Sequence, residues 1–169
     1  MPITPFHFGP GALFKCAAPG HLSWTVFALA NMLIDLEPIT LFFVTGDPTH
    51  SWLHTPPGAI AVAIVAATGG RWPCEWFLRW WNRQLNPVQA RWLAAPTEIS
   101  SAQAWSGALV GTFSHVLLDA VMHMDVRPFW PLVQGNPLQG LIAIEQLQWT
   151  CVVAGVLGIG VLAILKQKS

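Results

Sequence analysis

Histidines and carboxylates recur at four-residue spacings in an otherwise apolar sequence. His115, Asp119 and His123 stand at i, i+4 and i+8, so a helix would place all three along one face. A neutral imidazole and a carboxylate four residues apart can chelate one divalent first-row metal ion. In the alternative interpretation His115 hydrogen-bonds a neighbouring helix and Asp119 pairs with an arginine. The spacing therefore predicts either a metal site or a buried polar pair.

Three more histidines extend the set of candidate ligands. His50 and His54 follow the first long apolar run at the same four-residue spacing. If their segment is helical, the two rings share a face and resemble half of a metal site. Otherwise they are two histidines of an interfacial loop. His7 adds another imidazole in the proline-rich stretch near the N-terminus.

Acidic side chains also occur within or beside an apolar run. Asp35 and Glu37 directly precede Pro38, and Asp47 lies in the turn after that run. An ionised group inside a membrane-spanning helix costs about 2.5–3.5 kcal/mol even on insertion scales, so it usually marks a functional interior. A helix end near the interface, where acids cost less, is the alternative. We predict that Asp35 is a metal ligand and that Glu37 or Asp47 is a general base.

The elements that must position these residues are apolar helices. The 169-residue chain is 53% hydrophobic and 9% charged, whereas an average soluble domain has roughly 25% charged residues. The apolar runs 22–44, 101–124 and 141–165 are long enough to cross a hydrocarbon core of about 30 Å, and 57–71 is a shorter fourth candidate. We therefore predict a single all-α, membrane-embedded helical domain over residues 1–169, with about four spans.

Two further segments complete the predicted architecture. Residues 11–18 are predicted to form a short helix. The turn at Pro19 and Gly20 would fold it back against the helix that begins at Leu22, as a helical hairpin. Residues 71–98 hold four arginines among several tryptophans at helical spacing. Such a composition is typical of an amphipathic segment that lies in the membrane interface.

Basic residues predict how the chain is oriented, because short loops rich in Lys and Arg stay in the cytoplasm. With four spans, the arginines of 71–91 and the lysines near both ends of the chain fall on one side. The opposite loops, 45–56 and 125–140, carry only Arg127. We expect a multi-pass protein whose C-terminus is cytoplasmic and whose 45–56 loop faces outward.

Depth in the membrane connects the separate motifs. In the predicted hairpin His7 and Asp35 are at similar distances from the turn, and both lie toward the outer side. His50 and His54 follow the outer end of the first span, and Asp119 lies near the outer end of the third. Four segments thus bring ligands to one level, which favours a metal site over a proton relay or a buried polar network.

The order of these motifs along the chain is distinctive. It runs from Thr4-x-x-His7 through Asp35-Leu-Glu37 and His50-x-x-x-His54-Thr55 to Ser114-His115-x-x-x-Asp119. Over most of the chain this order resembles the bacterial membrane-bound metal-dependent hydrolases, an inner-membrane family. Members of that family commonly have Pro-Asp and His-Arg, where this chain has Ile34-Asp35 and His50-Ser51. The resemblance implies a location in the bacterial inner membrane and a divalent-metal site.

These observations together predict a membrane-embedded hydrolase that acts on a lipid-like or phosphoester substrate. A metal ion would activate the attacking water, with zinc the first candidate and manganese or iron also open. The rivals are a small metal-ion or proton transporter that uses the same groups, and a non-catalytic membrane protein that binds a partner. Eight basic and eight acidic residues leave no positive excess, so we expect no nucleic-acid partner. The lipid bilayer is the expected surrounding, and the sequence leaves the oligomeric state open.

Overall fold

The computed structural model describes residues 5–167, and every regular element in that range is helical. A 3-10 turn at Pro5–His7 leads into eight helices, which are α1 (Phe8–Ala17), α2 (Trp24–Ile34), α3 (Leu36–Thr45), α4 (Pro56–Thr68), α5 (Arg71–Gln84), α6 (Pro87–Leu93), α7 (Ser101–Met122) and α8 (Ile144–Gln167). By length and composition, α2 with α3, α7, and α8 as far as Leu165 could each cross a membrane. The predicted all-α membrane bundle is confirmed.

The fourth predicted span is shorter than expected. Helix α4 has 13 residues, which extend about 20 Å and fall short of a hydrocarbon core of about 30 Å. The Thr55 side chain caps its start by accepting a hydrogen bond from the Gly58 N–H, and the helix ends before Gly69. Arg71, placed at the end of this span by the sequence analysis, instead begins α5. Helix α4 packs against α7 and α2 inside the bundle.

Helix α1 differs in part from the predicted hairpin. It begins at Phe8, three residues earlier than expected, and the ring of Phe8 lies 5.8 Å from that of Phe27 in α2. Its most extensive packing, however, is against α8. A Cβ atom on Gly9 would lie only 2.0 Å from the carbonyl oxygen of Cys151, so glycine lets the two backbones approach. This packing fixes the position of His7 beside α7.

Close contact between α2 and α7 sets their register. A Cβ atom on Gly107 would lie 2.5 Å from the Ser23 carbonyl oxygen, and one on Gly111 would lie 2.9 Å from that of Phe27. Glycines four residues apart commonly allow membrane helices to approach in this way. The two helices run parallel, and His115, one turn beyond Gly111, lies beside the C-terminal end of α2.

The helical run from Trp24 to Thr45 is interrupted at Asp35, which separates α2 from α3. Proline 38 explains the break, because it has no N–H to donate to the Ile34 carbonyl and its ring crowds that oxygen. The interruption lets Asp35 contact α7 while Glu37, two residues later, contacts the loop 46–55. Both acids therefore reach the same region from one helix end.

The tryptophan- and arginine-rich segment forms α5 and α6. Helix α5 is amphipathic, since Trp72 and Trp76 are 70% and 58% exposed while Cys74 and Leu78 are buried in the core. Exposed tryptophans next to arginines are typical of a helix that lies in the membrane interface. The tryptophan- and arginine-rich segment predicted from the sequence thus forms two helices at one end of the bundle.

Candidate metal centre

Four segments bring histidines and acids together beside the C-terminal end of α2. The segments are the 3-10 turn, the junction of α2 and α3, the loop 46–55 and the second half of α7. The residues that meet there are His7, Asp35, Glu37, His50, His54, His115 and Asp119. Both His54 and His115 are fully buried. Seven of the eight predicted site residues therefore lie in one cluster.

Asp119 is the centre of this cluster. Its Oδ2 atom lies 3.1 Å from Nε2 of His115, 3.4 Å from Nε2 of His54 and 3.7 Å from Nε2 of His50. Its Oδ1 atom accepts a hydrogen bond from Nε2 of His7 at 3.1 Å. The ring of His7 in turn stacks on that of His115, with the ring centres 4.1 Å apart. One buried carboxylate thus contacts four imidazoles.

Four of these residues fit the coordination of a single ion. Asp35, His54, His115 and Asp119 each offer one ligand atom, and these atoms all lie within 4.8 Å of one another. Ligands 2.0–2.2 Å from a tetrahedral ion lie about 3.3 Å apart. The separation of His115 Nε2 from Asp35 Oδ1 is 3.2 Å, close to that value, as are the contacts of Asp119. This cluster, the deep group, could bind a divalent metal ion.

Asn31 determines which nitrogen of His115 carries the proton. The Asn31 amide nitrogen donates to the Phe27 carbonyl, so its Oδ1 atom faces Nδ1 of His115, 3.0 Å away, and accepts the proton there. In a neutral ring the lone pair is then on Nε2, directed at the carboxylates of Asp35 and Asp119. That buried Nε2 has no hydrogen-bond partner among the described residues. A cation between the nitrogen and the carboxylates would satisfy all three groups.

Glu37 fixes the position of the proton on His54, as Asn31 does on His115. The Nδ1 atom of His54 donates to Oε2 of Glu37 at 3.2 Å, whereas its buried Nε2 lacks a hydrogen-bond partner within the described part of the chain. The same carboxylate accepts the backbone N–H groups of Ser51 and Leu53 at 3.0 Å. Carboxylates commonly orient metal-binding histidines through the second ring nitrogen. The contacts of Glu37, predicted as a general base, are thus those of a positioning residue.

A second group of possible ligands adjoins the first. His50, His123 and Asp125 each offer an atom within 4.8 Å of the others, and we call these three residues the outer group. The rings of His50 and His123 stack with centres 4.5 Å apart, and Nδ1 of His50 lies 3.0 Å from Oδ2 of Asp125. Helix α7 ends at Met122, and the extended backbone of His123 takes its ring out of the helical register. The prediction that His123 shares a helix face with His115 was therefore wrong.

Asn31 and Asp125 contact candidate ligands, although the sequence motifs did not include them. Asn31 precedes Asp35 by one helical turn, and Asp125 follows His123 by two residues, so both spacings were visible in the sequence. Asp47 belongs to neither ligand group among the described residues. It is exposed after α3, where its N–H donates to the Thr45 hydroxyl.

The loop groups outside the spans have perturbed acidities. Burial by itself would lower the pKa of His54, but the carboxylates of Asp119 and Glu37 outweigh it and raise that pKa. Burial lowers the pKa of His123. Burial would raise the pKa of Asp125, yet the hydrogen bonds and charge of His50 lower it. The neighbouring carboxylates thus favour the protonated ring of His54, a proton that a bound metal ion would have to displace, whereas burial favours the neutral ring of His123.

A cavity of about 460 Å³ opens beside the outer group. His50 and Asp125 contribute to its wall, together with the exposed Arg127 and the rings of Trp52 and Trp130. The fully buried residues of the deep group do not line it. The cavity therefore gives a small molecule access to His50 and Asp125 of the outer group.

The fold and the cluster define the class of this protein as an all-helical membrane bundle with a buried His/Asp cluster that could bind a metal ion. No family model, curated protein or solved structure matches the chain. The resemblance to membrane-bound metal-dependent hydrolases thus stays a prediction that rests on the motifs.

Proposed function

We propose that the protein is a membrane-embedded, metal-dependent hydrolase that acts on a phosphoester carried by a lipid-like substrate. The observation that supports this most concerns the buried Nε2 atoms of His54 and His115, which have no hydrogen-bond partner among the described residues and lie 3.4 and 3.1 Å from Oδ2 of Asp119. A divalent ion bound there would lower the pKa of a coordinated water and polarise the bond to be cleaved. Zinc is the first candidate because imidazole and carboxylate are among its common ligands.

The residues in and around the deep group divide into ligands and positioning residues. Asp35, His54, His115 and Asp119 would hold the ion. Asn31 and Glu37 hold the two rings through their Nδ1 atoms, and His7 holds the second oxygen of Asp119. Such outer contacts fix the tautomer and the orientation of a ligand. This division of roles supports a preorganised metal site rather than an accidental meeting of polar groups.

The cavity supports a phosphoester as the substrate class. Arg127 lines it together with His50 and Asp125, and a guanidinium group binds phosphate oxygens through two parallel hydrogen bonds. Trp52 and Trp130 line the same cavity and offer apolar surface. The site also adjoins helices that could cross a membrane. A lipid-like molecule could therefore present its head group from within the bilayer.

The core on the other side of the cluster argues against a transport pathway. The buried core there consists of apolar side chains, among them Val26, Ala30, Ala63, Ala66 and Ala108. A conducting path needs polar groups through both halves of a membrane. Within the described residues the metal-binding groups are confined to one end of the bundle, as an enzyme site requires.

The direct test is hydrolysis by the purified protein in detergent or lipid nanodiscs. We expect metal-loaded protein to cleave phosphomonoester or phosphodiester lipids, and a chelator to stop the reaction. Arg127→Ala should raise KM about tenfold or more, because a charge-assisted hydrogen bond is lost, while metal content stays unchanged. Arg91→Ala, in α6, is the matched control.

Two results would contradict the proposal. One is the absence of turnover for phosphoester, ester and amide lipids by protein that carries its metal. The other is ion movement in proteoliposomes that Asp119→Ala abolishes, which would favour the transporter.

We also infer that the cluster faces outward from the bacterial inner membrane and that the C-terminus is cytoplasmic. Four arginines lie in α5 and α6, at the end of the bundle away from the cluster, and Arg127 is the one Lys or Arg in the loops beside it. Reporter fusions after Thr49 should be active outside the cytoplasm, and fusions after Ser169 should be active inside it. A fusion after Thr49 that is active in the cytoplasm would reverse this topology.

A further inference from the structure

We infer that His50, His123 and Asp125 bind a second metal ion, and that this outer ion, which borders the cavity, contacts the substrate. The second half of this inference rests on the proposed hydrolase function. The first half concerns only metal binding and is tested without any activity. Together they assign a role to His123 and Asp125, which the function proposed above does not use.

The ligand atoms of the outer group meet in the manner expected around an ion. One atom from each residue lies within 4.8 Å of the others. The Nε2 atom of His123 is buried and has no hydrogen-bond partner among the described residues. The 3.0 Å between His50 Nδ1 and Asp125 Oδ2 suits two ligands of one ion as well as it suits a hydrogen bond.

Asp119 connects the two groups. Its Oδ2 atom contacts Nε2 of His54 and His115 in the deep group and lies 3.7 Å from Nε2 of His50 in the outer group. The ring of His50 thus stands between the two groups, with Nε2 toward Asp119 and Nδ1 toward Asp125.

Access distinguishes the two positions. The deep group already supplies four ligands, and its residues His54, His115 and Asp119 are buried at 0%, 0% and 3% exposure. The outer group supplies three ligands and borders the cavity through His50 and Asp125. Structural metal sites are closed by four protein ligands, whereas catalytic sites have three and leave a position open. The substrate should therefore meet the outer ion.

Charge balance also favours two ions. Asp35, Glu37, Asp119 and Asp125 are four carboxylates in contact, directly or through one ring, and three of them have side chains no more than 14% exposed. Within the part of the chain that the structure describes, the ion pairs of these carboxylates are all with histidines. Histidines that ligate a metal are neutral. Two divalent ions would match the four negative charges without a proton on any of these histidines.

A simpler role for Asp125 gives a different expectation. Asp125 accepts the backbone N–H of His50 and contacts its Nδ1 atom, so it could merely hold His50 toward the deep group. In that case His123 would have no part in metal binding. The effect of replacing His123 therefore separates the two interpretations.

The experiment is metal analysis of purified protein that has been loaded with Mn²⁺ and desalted. We expect about two ions per wild-type chain and about one per chain in His123→Ala, with the deep ion retained. Electron paramagnetic resonance should show a coupled Mn²⁺ pair in the wild type and isolated Mn²⁺ in the variant. His21→Ala, a histidine outside both groups, should keep both ions. Asp125→Asn, which retains an oxygen to accept the His50 N–H, should also lose one ion and serves where His123→Ala fails to fold.

Several outcomes would overturn the inference. A single ion in the saturated wild type, or two ions in both His123→Ala and Asp125→Asn, would exclude the outer site. Loss of one ion with hydrolysis unchanged would show that the outer ion does not contact the substrate. Two bound ions with no hydrolysis of any phosphoester would leave the outer site standing and reject the proposed hydrolase instead.

Discussion

Asp119→Ala is expected to remove the bound metal and to abolish hydrolysis. This carboxylate contacts His7, His50, His54 and His115 through its two oxygens, so its removal takes a ligand from the deep group and the connection to the outer group. The measurement is elemental analysis of the purified variant, together with its rate on the phosphoester that the wild type cleaves. Metal bound only by the native state contributes to stability, so the variant should also lose the rise in Tm that metal gives the wild type.

A matched control separates this effect from the effect of removing any carboxylate from the protein. Asp47→Ala removes a carboxylate that lies exposed in the loop after α3, outside both ligand groups. It should keep the metal, the activity and the rise in Tm. Asp119→Ala that retains its full metal content would contradict the central position of this residue.

The sequence predicted much of the cluster because membrane depth is readable from spacing. Asp35 and Asp119 lie in apolar runs, where an ionised group is costly, and each run fixes how far its acid lies from the membrane surface. The spacing of His115 and Asp119 within α7 is local, and the two side chains share a helix face as predicted, 3.1 Å apart. Depth gives the position of a residue along the membrane normal but not within the membrane plane. It therefore predicted a common level but not which atoms would be in contact.

The loop 46–55 shows where local patterns fail. The four-residue spacing of His50 and His54 suggested a helical pair. This loop is not helical, and both rings nevertheless reach the cluster. Glu37 holds it through the backbone N–H groups of Ser51 and Leu53. These contacts join residues about 15 positions apart, and side-chain periodicity contains no information about them.

The meeting of His50, His123 and Asp125 was not predicted, for a related reason. His123 was assigned to the face of α7, but the helix ends one residue earlier and the ring turns toward His50. Helix ends are poorly defined by periodicity alone. Asp125 gains its importance only from contact with His50, 75 residues away. The same limit affected the fourth span, because the end of α4 at Thr68 is set by a turn and not by a change in hydropathy.

Glu37→Gln is expected to weaken metal binding 10–100-fold, the usual cost of losing a contact that orients a ligand. The carboxylate accepts hydrogen bonds from Nδ1 of His54 and from the N–H groups of Ser51 and Leu53. A glutamine has one acceptor oxygen, and its amide group cannot accept, so these three donors can no longer all be satisfied. The loop and the His54 ring should lose their fixed orientation.

The dependence on metal concentration distinguishes this role from that of a general base. A positioning residue affects hydrolysis through the metal, so activity of Glu37→Gln should recover when excess metal saturates the site. A general base acts on the proton of the attacking water, so its loss would leave the metal in place and lower kcat at every metal concentration. Competition with a fluorescent chelator gives the affinity, and Glu98→Gln, an exposed acid, is the control. Normal affinity with kcat lost would return Glu37 to the role of base, and the contacts with His54 would then serve to hold the base instead of the ligand.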